Sequence, residues 1–368
     1  MRKVPFFDYS RIFSDHENEY LEIIKAVGQK GAYIMQSELT EFEKAAAEFI
    51  GAKYAVGVGN ATDGLEMIWQ SIGFKPGDEV IVSAHTMVAT ASAIKSAGGT
   101  PVPVDIEDTG LISPESIRKF INKKTVAICP TQLNGHICDM KSILEIAREF
   151  NLKIVEDAAQ AYGAHTSNGY AGLFGIAGAF SFYPAKNLGA LGDAGLVVTN
   201  DEALYKKLLA LRDHGRNEHG EIVSWGRNSR LDNLQAAILQ SQLNRYEETI
   251  AYRQEIAHAY DQVLKKVPQV SITHSYLGNQ VSVFQNYEIL AENRQELLAY
   301  LKLNVIGYLI PWGGQQINKL DKLGINYELS KVDEYFKKCV MLPLNLFISK
   351  EDANYVANLI SNFYGVSN

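Results

Sequence analysis

Lys186 and Asp157 are the side chains of this sequence best placed to do chemistry. Lys186 lies in Phe180-Ser181-Phe182-Tyr183-Pro184-Ala185-Lys186-Asn187-Leu188-Gly189, 29 residues after Asp157 in Val155-Glu156-Asp157-Ala158-Ala159-Gln160. Aromatic and glycine neighbours argue for a desolvated lysine, and desolvation lowers the ammonium pKa and leaves a nucleophilic amine. A lysine laying its stem over aromatic rings with its head in water has the same local sequence. Asp157 ends an apolar, strand-like run, where a carboxylate can meet a pyridinium nitrogen or simply cap the next segment. Taken as a pair, they predict a pyridoxal phosphate site, with Lys186 as the Schiff-base amine and Asp157 holding the ring protonated.

A phosphate would need a cradle, and Gly57-Val58-Gly59-Asn60-Ala61-Thr62-Asp63-Gly64 offers one. Backbone N–H groups and the Thr62 hydroxyl at a helix start can hold an anion. A tight strand-to-helix turn with Thr62 as its N-cap explains the same residues. The stretch lacks the Gly-Lys-Thr of a nucleotide P-loop and the glycine spacing of a dinucleotide fingerprint. Ser181 can add a second hydroxyl, and Gln160 can reach a ring hydroxyl. In Arg227-Asn228-Ser229-Arg230-Leu231-Asp232, Asn228 and Arg230 can contact phosphate, or the segment is a helix-start loop capped by Ser229 or Asp232. His85, His136, His214 and His219 form no triad or metal pattern, and no metal site is expected. Tyr162, Tyr170 and Trp225 read as packing residues. The order of cradle, strand-end acid and later lysine is far more specific than any one of these signals.

Short apolar runs alternate with amphipathic segments over the first two thirds of the chain. Strands are expected at Tyr54–Val58, Glu79–Val82, Thr100–Val104, Val126–Pro130, Lys153–Glu156, Ala179–Phe182 and Gly195–Thr199. Helices are expected between them, including Thr62–Ile72, Val88–Ala97, Pro114–Ile121, Met140–Phe150 and Glu202–Arg212, after two N-terminal helices from Glu17 and from Ser37. Near-continuous apolar strands alternating with helices predict an α/β layer around a largely parallel sheet. Leu234–Val263 reads as one long helix, followed by shorter mixed segments. The expected division is a large α/β domain over residues 1–245 and a small α+β domain over 246–368.

The 368 residues favour two domains, and the composition (46% hydrophobic, 21% charged) is that of a soluble globular chain. A net charge of −7 leaves no basic excess for general nucleic-acid binding, while a local basic pocket for an anionic substrate stays compatible with it. Three scattered cysteines, Cys129, Cys138 and Cys339, form neither a disulfide framework nor a metal pattern. The start, Met1-Arg2-Lys3-Val4-Pro5-Phe6-Phe7-Asp8, has no apolar signal core, and no run is long enough to span a membrane. A cytoplasmic location is expected.

These motifs resemble the nucleotide-sugar aminotransferases of the DegT/StrS group, which are fold-type I pyridoxal phosphate enzymes. The resemblance runs from Pro5-Phe6-Phe7-Asp8 and Gly31-Ala32-Tyr33-Ile34 through Gly59-Asn60-Ala61-Thr62-Asp63-Gly64-Leu65 and Gly77-Asp78-Glu79-Val80-Ile81-Val82. It continues through the Asp157 and Lys186 motifs to Asn228-Ser229-Arg230-Leu231-Asp232. It implies that Lys186 is the Schiff-base lysine and proton shuttle, and that Asp157 pairs with the ring nitrogen and Gln160 with the ring hydroxyl. It also implies that Ala61 (backbone), Thr62 and Ser181 hold the phosphate, and that Asn228 reaches the neighbouring subunit's cofactor in a homodimer with shared sites. Arg230 is expected to face the sugar nucleotide, with Tyr183 and Trp312 as further substrate contacts.

The chain departs from the group's pattern at two places. Met87 stands where relatives commonly carry an aromatic that stacks on the cofactor ring; Met87 can cover the ring, or His85 can take that role. Gly307-Tyr308-Leu309-Ile310-Pro311-Trp312-Gly313-Gly314 replaces a His-Tyr-Pro-type segment. The implied reaction moves an amino group from an amino acid, as in the family L-glutamate, to a keto-sugar nucleotide for surface polysaccharide or glycoconjugate synthesis. Gly192-Asp193-Ala194-Gly195 resembles the motif of enzymes for 3-oxo sugars rather than 4-oxo sugars. A dehydratase of the same fold would carry histidine in place of Lys186. A non-catalytic regulatory protein of this fold, or a plain nucleotide-binding α/β enzyme, would not need Lys186, Asp157, Gln160, Thr62 and Ser181 together.

Overall fold

The structure, a computed structural model, describes residues 2–366. Met1, quoted above with the opening segment, lies outside the described residues.

Helices α1 (Tyr9–Ser14), α2 (Glu17–Lys30) and α3 (Ser37–Ile50) precede the first strand. Gly31 and Gly51 end α2 and α3 in the left-handed conformation, with φ of 64° and 72°, a backbone region that glycine enters without steric cost. Four strand–helix units follow: β1 (Tyr54–Val58) and α4 (Ala61–Ile72), β2 (Glu79–Ser83) and α5 (Val88–Ser96), β3 (Thr100–Val104) and α6 (Pro114–Phe120), β4 (Thr125–Cys129) and α7 (Met140–Glu149), then the strand β5 (Lys153–Asp157). A two-residue hairpin, β6 (His165–Thr166) and β7 (Gly169–Tyr170), leads to β8 (Ala177–Ser181), β9 (Gly195–Thr199) and α8 (Glu202–Arg212).

Seven of these strands form one sheet in the order β1-β9-β8-β5-β4-β2-β3. Neighbours from β8 to β3 run parallel, and β9 is antiparallel to both β1 and β8. The sheet is buried on both faces because its side chains alternate between two cores. Ile81, Leu196 and Val198 join Leu39 and Phe42 of α3 and Ile143 of α7 on one face. Val80, Val82 and Val197 join Leu65 and Trp69 of α4, Ile94 of α5 and Leu208 of α8 on the other.

The expected single helix over Leu234–Val263 is two helices, α9 (Asn233–Leu243) and α10 (Tyr246–Leu264). No glycine or proline marks the break. Arg245 leaves the helical region at φ −119° and pairs with Glu19 of α2, so tertiary contact rather than local propensity ends α9. Beyond α10 lie β10 (Val270–Ile272), β11 (Tyr287–Ala291), α11 (Arg294–Leu303), the short pair β12 (Lys319–Leu320) and β13 (Ile325–Asn326), α12 (Ser330–Lys338), β14 (Cys339–Leu342) and α13 (Lys350–Phe363). The antiparallel sheet β10-β11-β14 packs on α10, α11 and α13 through Ile289, Val340, Tyr260, Leu297 and Val356. The N-terminal segment joins this side of the molecule, Val4 pairing with Ile306.

Candidate active site

The site residues gather where the strands of the large sheet end. Val58, Gly195 and Ser181 lie side by side across β1, β9 and β8. Gly195 has no side chain to stand between its neighbours. A Cβ there would meet the Asn60 carbonyl carbon at 2.5 Å and the Ala61 nitrogen at 2.8 Å. The start of α4 therefore sits directly against this edge. Asn60, not Thr62, is its N-cap, accepting from the Asp63 N–H at 2.9 Å. That corrects the capping alternative for Thr62 and leaves the first-turn N–H groups of Ala61 and Thr62 without partners inside the helix. A twelve-residue helix starting on free N–H groups beside Ser181 fits the phosphate of the expected cofactor.

Asp157 ends β5, the strand next to β8, and is buried. Its Oδ2 accepts from the Thr90 hydroxyl at 2.5 Å and its Oδ1 from the Ala159 N–H at 3.1 Å. Burial raises its pKa, while Thr90, the Ala159 N–H and the Lys186 charge pull the other way. Thr90 is tied in turn to Thr86 and through it to Thr131. Desolvation pushes the Lys186 amine down to about 8, with Asp157 opposing. A partly neutral amine and a buried carboxylate that wants a cationic partner fit a Schiff-base cofactor with a protonated ring nitrogen.

Lys186 sits on a loop that leaves β8 and returns to β9, closed by Phe182 N–H to Ala194 O and Ala190 N–H to Phe182 O. Gln285 grips both neighbours of the lysine. Its Oε1 accepts from the Asn187 N–H at 3.1 Å and its Nε2 donates to Ala185 O at 2.9 Å. Asn187 Nδ2 donates to Val283 O, and the buried Arg253 guanidinium donates to the carbonyls of Phe284 and Gln285. Lys186, Ala185, Gln285 and Asn286 line a cleft closed on its other side by Phe6–Tyr9 and Leu344–Phe347.

Gln160 Oε1 accepts from the Asn134 N–H at 2.7 Å and from Asn286 Nδ2 at 3.4 Å. Its Nε2 is the donor left to meet a ring hydroxyl. Met87 is the N-terminal flank of α5, 51% exposed and one turn from Thr90. His85 is fully buried, bonded to Gly110 O at 3.1 Å and packed on the rings of Tyr335 and Phe336. The alternative in which His85 covers the cofactor ring is thereby corrected: its ring faces the core.

The segment after α8 is placed less simply. Ser229 accepts from the Gly59 N–H at 3.1 Å and donates to Asp63 at 2.6 Å, tying this segment to the start of α4. Arg230 pairs with Asp213 at 3.1 Å, and Asn228 is exposed. Trp225 is 97% exposed, with Ile222 at 75% and Val223 also open. The expectation of Trp225 as a packing residue fails within the monomer, because its loop stands clear of both cores. Tyr162 does pack, among Phe49, Phe180 and Phe182. Tyr183 is exposed beside Pro184. Trp312 is half-buried between two cores at φ 53° and lies outside the lining of the Lys186 cleft.

Thr90, Gln285, Asn134 and Asn286 were not singled out from the sequence. Only the Asn134-Gly135 dipeptide carried a signal: such a pair favours a left-handed turn, and both residues have positive φ, 57° and 86°. Among the described residues no helix is long and apolar enough to cross a membrane, and no cluster of His, Cys, Asp and Glu could hold a metal.

A doubly covered, mostly parallel sheet with a lysine and a strand-end aspartate at its edge defines a pyridoxal phosphate enzyme of the aminotransferase class. The DegT/DnrJ/EryC1/StrS aminotransferase family matches residues 14–361. The chain belongs to this family, the sugar aminotransferases that the sequence resembles, and its cofactor is pyridoxal phosphate. It is 34% identical, over 98% of both chains, to a protein of Geobacillus stearothermophilus described as a pleiotropic regulatory protein. It is likewise 34% identical to the UDP-2-acetamido-2-deoxy-3-oxo-D-glucuronate aminotransferase of Pseudomonas aeruginosa, covering 92% of this chain and 94% of that one. The crystal structure of Streptomyces venezuelae DesV in complex with a ketimine intermediate superposes with a TM-score of 0.95 at 31% identity, over the whole of both chains.

Proposed function

We propose that this chain transfers an amino group from L-glutamate to the 3-oxo group of a nucleotide-linked sugar, in the synthesis of amino sugars for surface polysaccharide or glycoconjugate. The observation that carries this reading is the joint burial of Lys186 and Asp157 at the sheet edge beside the free start of α4. When bound, pyridoxal phosphate supplies an electron sink for the carbon that loses its proton. Asp157 keeps the ring nitrogen protonated. Lys186 Nζ, neutral enough to act as a base near pH 8, takes the proton from the amino-acid Cα and returns one to the sugar carbon in the second half-reaction. Thr62, Ser181 and the Ala61 N–H hold the phosphate, and Gln160 Nε2 donates to the ring hydroxyl. Arg230, Tyr183 and Trp312 are assigned to the sugar nucleotide.

The 3-oxo position is supported by Gly192-Asp193-Ala194-Gly195 and by the Pseudomonas relative, whose name specifies a 3-oxo sugar. A homodimer is supported by the open Asn228 and the bare apolar loop at Ile222–Trp225. We further assign residues 1–245 to a large domain and 246–368 to a small one, with the α9–α10 break near their junction, and place the enzyme in the cytoplasm.

The test is direct. The purified protein should be yellow, lose its visible band on adding L-glutamate, and regain it only with a 3-oxo nucleotide sugar. Lys186→Ala should abolish the cycle. Recovery with 4-oxo but not 3-oxo sugars would overturn the positional assignment, and a colourless protein that takes up no added cofactor would overturn the whole reading.

A further inference from the structure

A buried acid lies behind Gln160, and the reaction as described makes no use of it. Glu288 of β11 is fully buried, and its Oε2 accepts from Asn134 Nδ2 at 2.5 Å. Asn134 Oδ1 accepts from Asn286 Nδ2 at 2.9 Å, and the Asn134 N–H is the main donor to Gln160 Oε1. On its other side, Glu288 Oε1 stands 3.8 Å from His85 Nε2. His85 Nε2 lacks a hydrogen-bond partner, and the Tyr335 hydroxyl beside Glu288 is the carboxyl's second donor. His85 Nδ1 faces the Gly110 carbonyl, so this nitrogen carries the ring proton and Nε2 is a bare acceptor. The other groups on Glu288 are Tyr335 from α12 and Cys339 from β14, the latter beside Arg294 of α11. Burial pushes the Glu288 carboxyl up to about 8, against the pull of Asn134 and Tyr335.

We propose that Glu288 is a positioning residue for the cofactor site: buried behind Asn134 and accepting from its side chain, it fixes Asn134 and thereby the donor-outward orientation of Gln160. The hydrogen bonds then run one way. Asn134 Nδ2 donates to Glu288, Asn286 Nδ2 donates to Asn134, and the Asn134 N–H claims the Gln160 carbonyl oxygen. Gln160 Nε2 has no role in that chain and is presented to the ring hydroxyl. The proposal rests on the reading above that Gln160 meets that hydroxyl.

A donor on the ring oxygen stabilises its anionic form and disfavours the proton shared beside it. The pH midpoint of the holoenzyme's visible band is therefore held low, and losing the donor raises it by about one unit, a tenfold change in proton affinity. The test titrates that band in parent, Glu288→Gln, Glu288→Val and Gln160→Ala holoenzymes, alongside thermal unfolding. Glu288→Gln supplies one acceptor and one donor without charge, so its midpoint stays with the parent. Glu288→Val and Gln160→Ala both shift it upward. If Glu288→Val does not fold, Asn134→Gly, which suits the positive φ, replaces it. A Glu288→Val midpoint equal to the parent's, while Gln160→Ala shifts, overturns the positioning role and leaves the Gln160 contact standing. A Gln160→Ala midpoint equal to the parent's removes that contact and this inference with it. A Glu288→Gln midpoint that moves as far as Glu288→Val shows that an acceptor for Asn134 does not hold the midpoint, and overturns the positioning role. A lowered melting temperature with no midpoint change is the mark of a merely structural residue.

Discussion

The Thr90 hydroxyl donates to Asp157 Oδ2 at 2.5 Å. It pulls down the pKa of a carboxyl that burial raises. The bond is made across the gap between α5 and β5, so a helix start on one side of the sheet favours the charged form of a strand-end acid. Thr90→Val keeps the shape of the side chain and removes the donor. A hydrogen bond to a charged group contributes about 1.5–3 kcal/mol, which predicts a loss of roughly ten- to a hundredfold in kcat and weaker cofactor retention. Turnover with L-glutamate and cofactor release on dialysis measure the two effects. Unchanged values for both would mean that Asp157 needs no help to stay charged.

Gln285 controls where Lys186 can go, because it bonds to Ala185 O and to the Asn187 N–H at once. Gln285→Leu fills similar space and releases both. The loop keeps its own closures at Phe182 and Ala190, so the fold should survive. A misplacement of about 1 Å at a reacting amine costs on the order of a hundredfold in rate. The loss is expected mainly in kcat, since no substrate-binding group is removed. A change confined to KM would argue that Gln285 serves the substrate instead.

Which of these relationships could be read from the chain follows from their range. The Lys186 and Asp157 motifs are local, and β1, β3, β9 and α8 were expected at their observed limits because each is a short periodic run between turn or polar residues. Thr90 is 67 residues from Asp157, and Gln285 is 98 from Asn187. Nothing in a threonine or glutamine says which distant backbone it will meet. The break between α9 and α10 was hidden for the same reason, since Arg245 finds Glu19, 226 residues away. Asp157 could be expected at a strand end, but the donor that opposes its desolvation could not.

The pH dependence of the cofactor-free protein separates two buried groups. The Glu288 carboxyl lies at about 8 in the folded state, above its ordinary 4.5. The folded state therefore binds the extra proton between those values, and its stability falls as pH rises through the window. Glu288→Gln removes that slope. The melting temperature of the variant should gain on the parent by a few degrees between about pH 4.5 and 8, then run parallel to it. The buried His85, pushed down from 6.5 to about 4, contributes the opposite slope between those values, in parent and variant alike. Lys186 acts above that window: its amine lies at about 8 rather than 10.5, so the unfolded state binds more protons there and stability rises with pH from about 8 to 10.5. Lys186→Met should lose that rise. A variant-minus-parent difference that is flat from pH 4.5 to 8 would place a charged Glu288 in the core.

The loop between Asp213 and Asn228 supplies the last prediction. It is held at its base by the Arg227 pairs with Glu66 and Asp63 and by Ser229 on Gly59. At its tip Ile222, Val223 and Trp225 have no cover in the monomer. Leaving a tryptophan and two aliphatic side chains in water forgoes about 1.5–3 kcal/mol for each that could be buried. The base lies beside the start of α4, where the cofactor phosphate is proposed to bind, so a partner covering the tip would approach the site as well. Ile222→Asp with Trp225→Asp should shift the protein from dimer to monomer in sedimentation analysis at micromolar concentration. Both side chains are exposed, so secondary structure by circular dichroism should be unchanged. If Asn228 reaches a neighbour's cofactor, activity should fall with the dimer and recover partially at higher protein concentration. A variant that stays dimeric and fully active would place the subunit contact elsewhere and leave Trp225 unexplained.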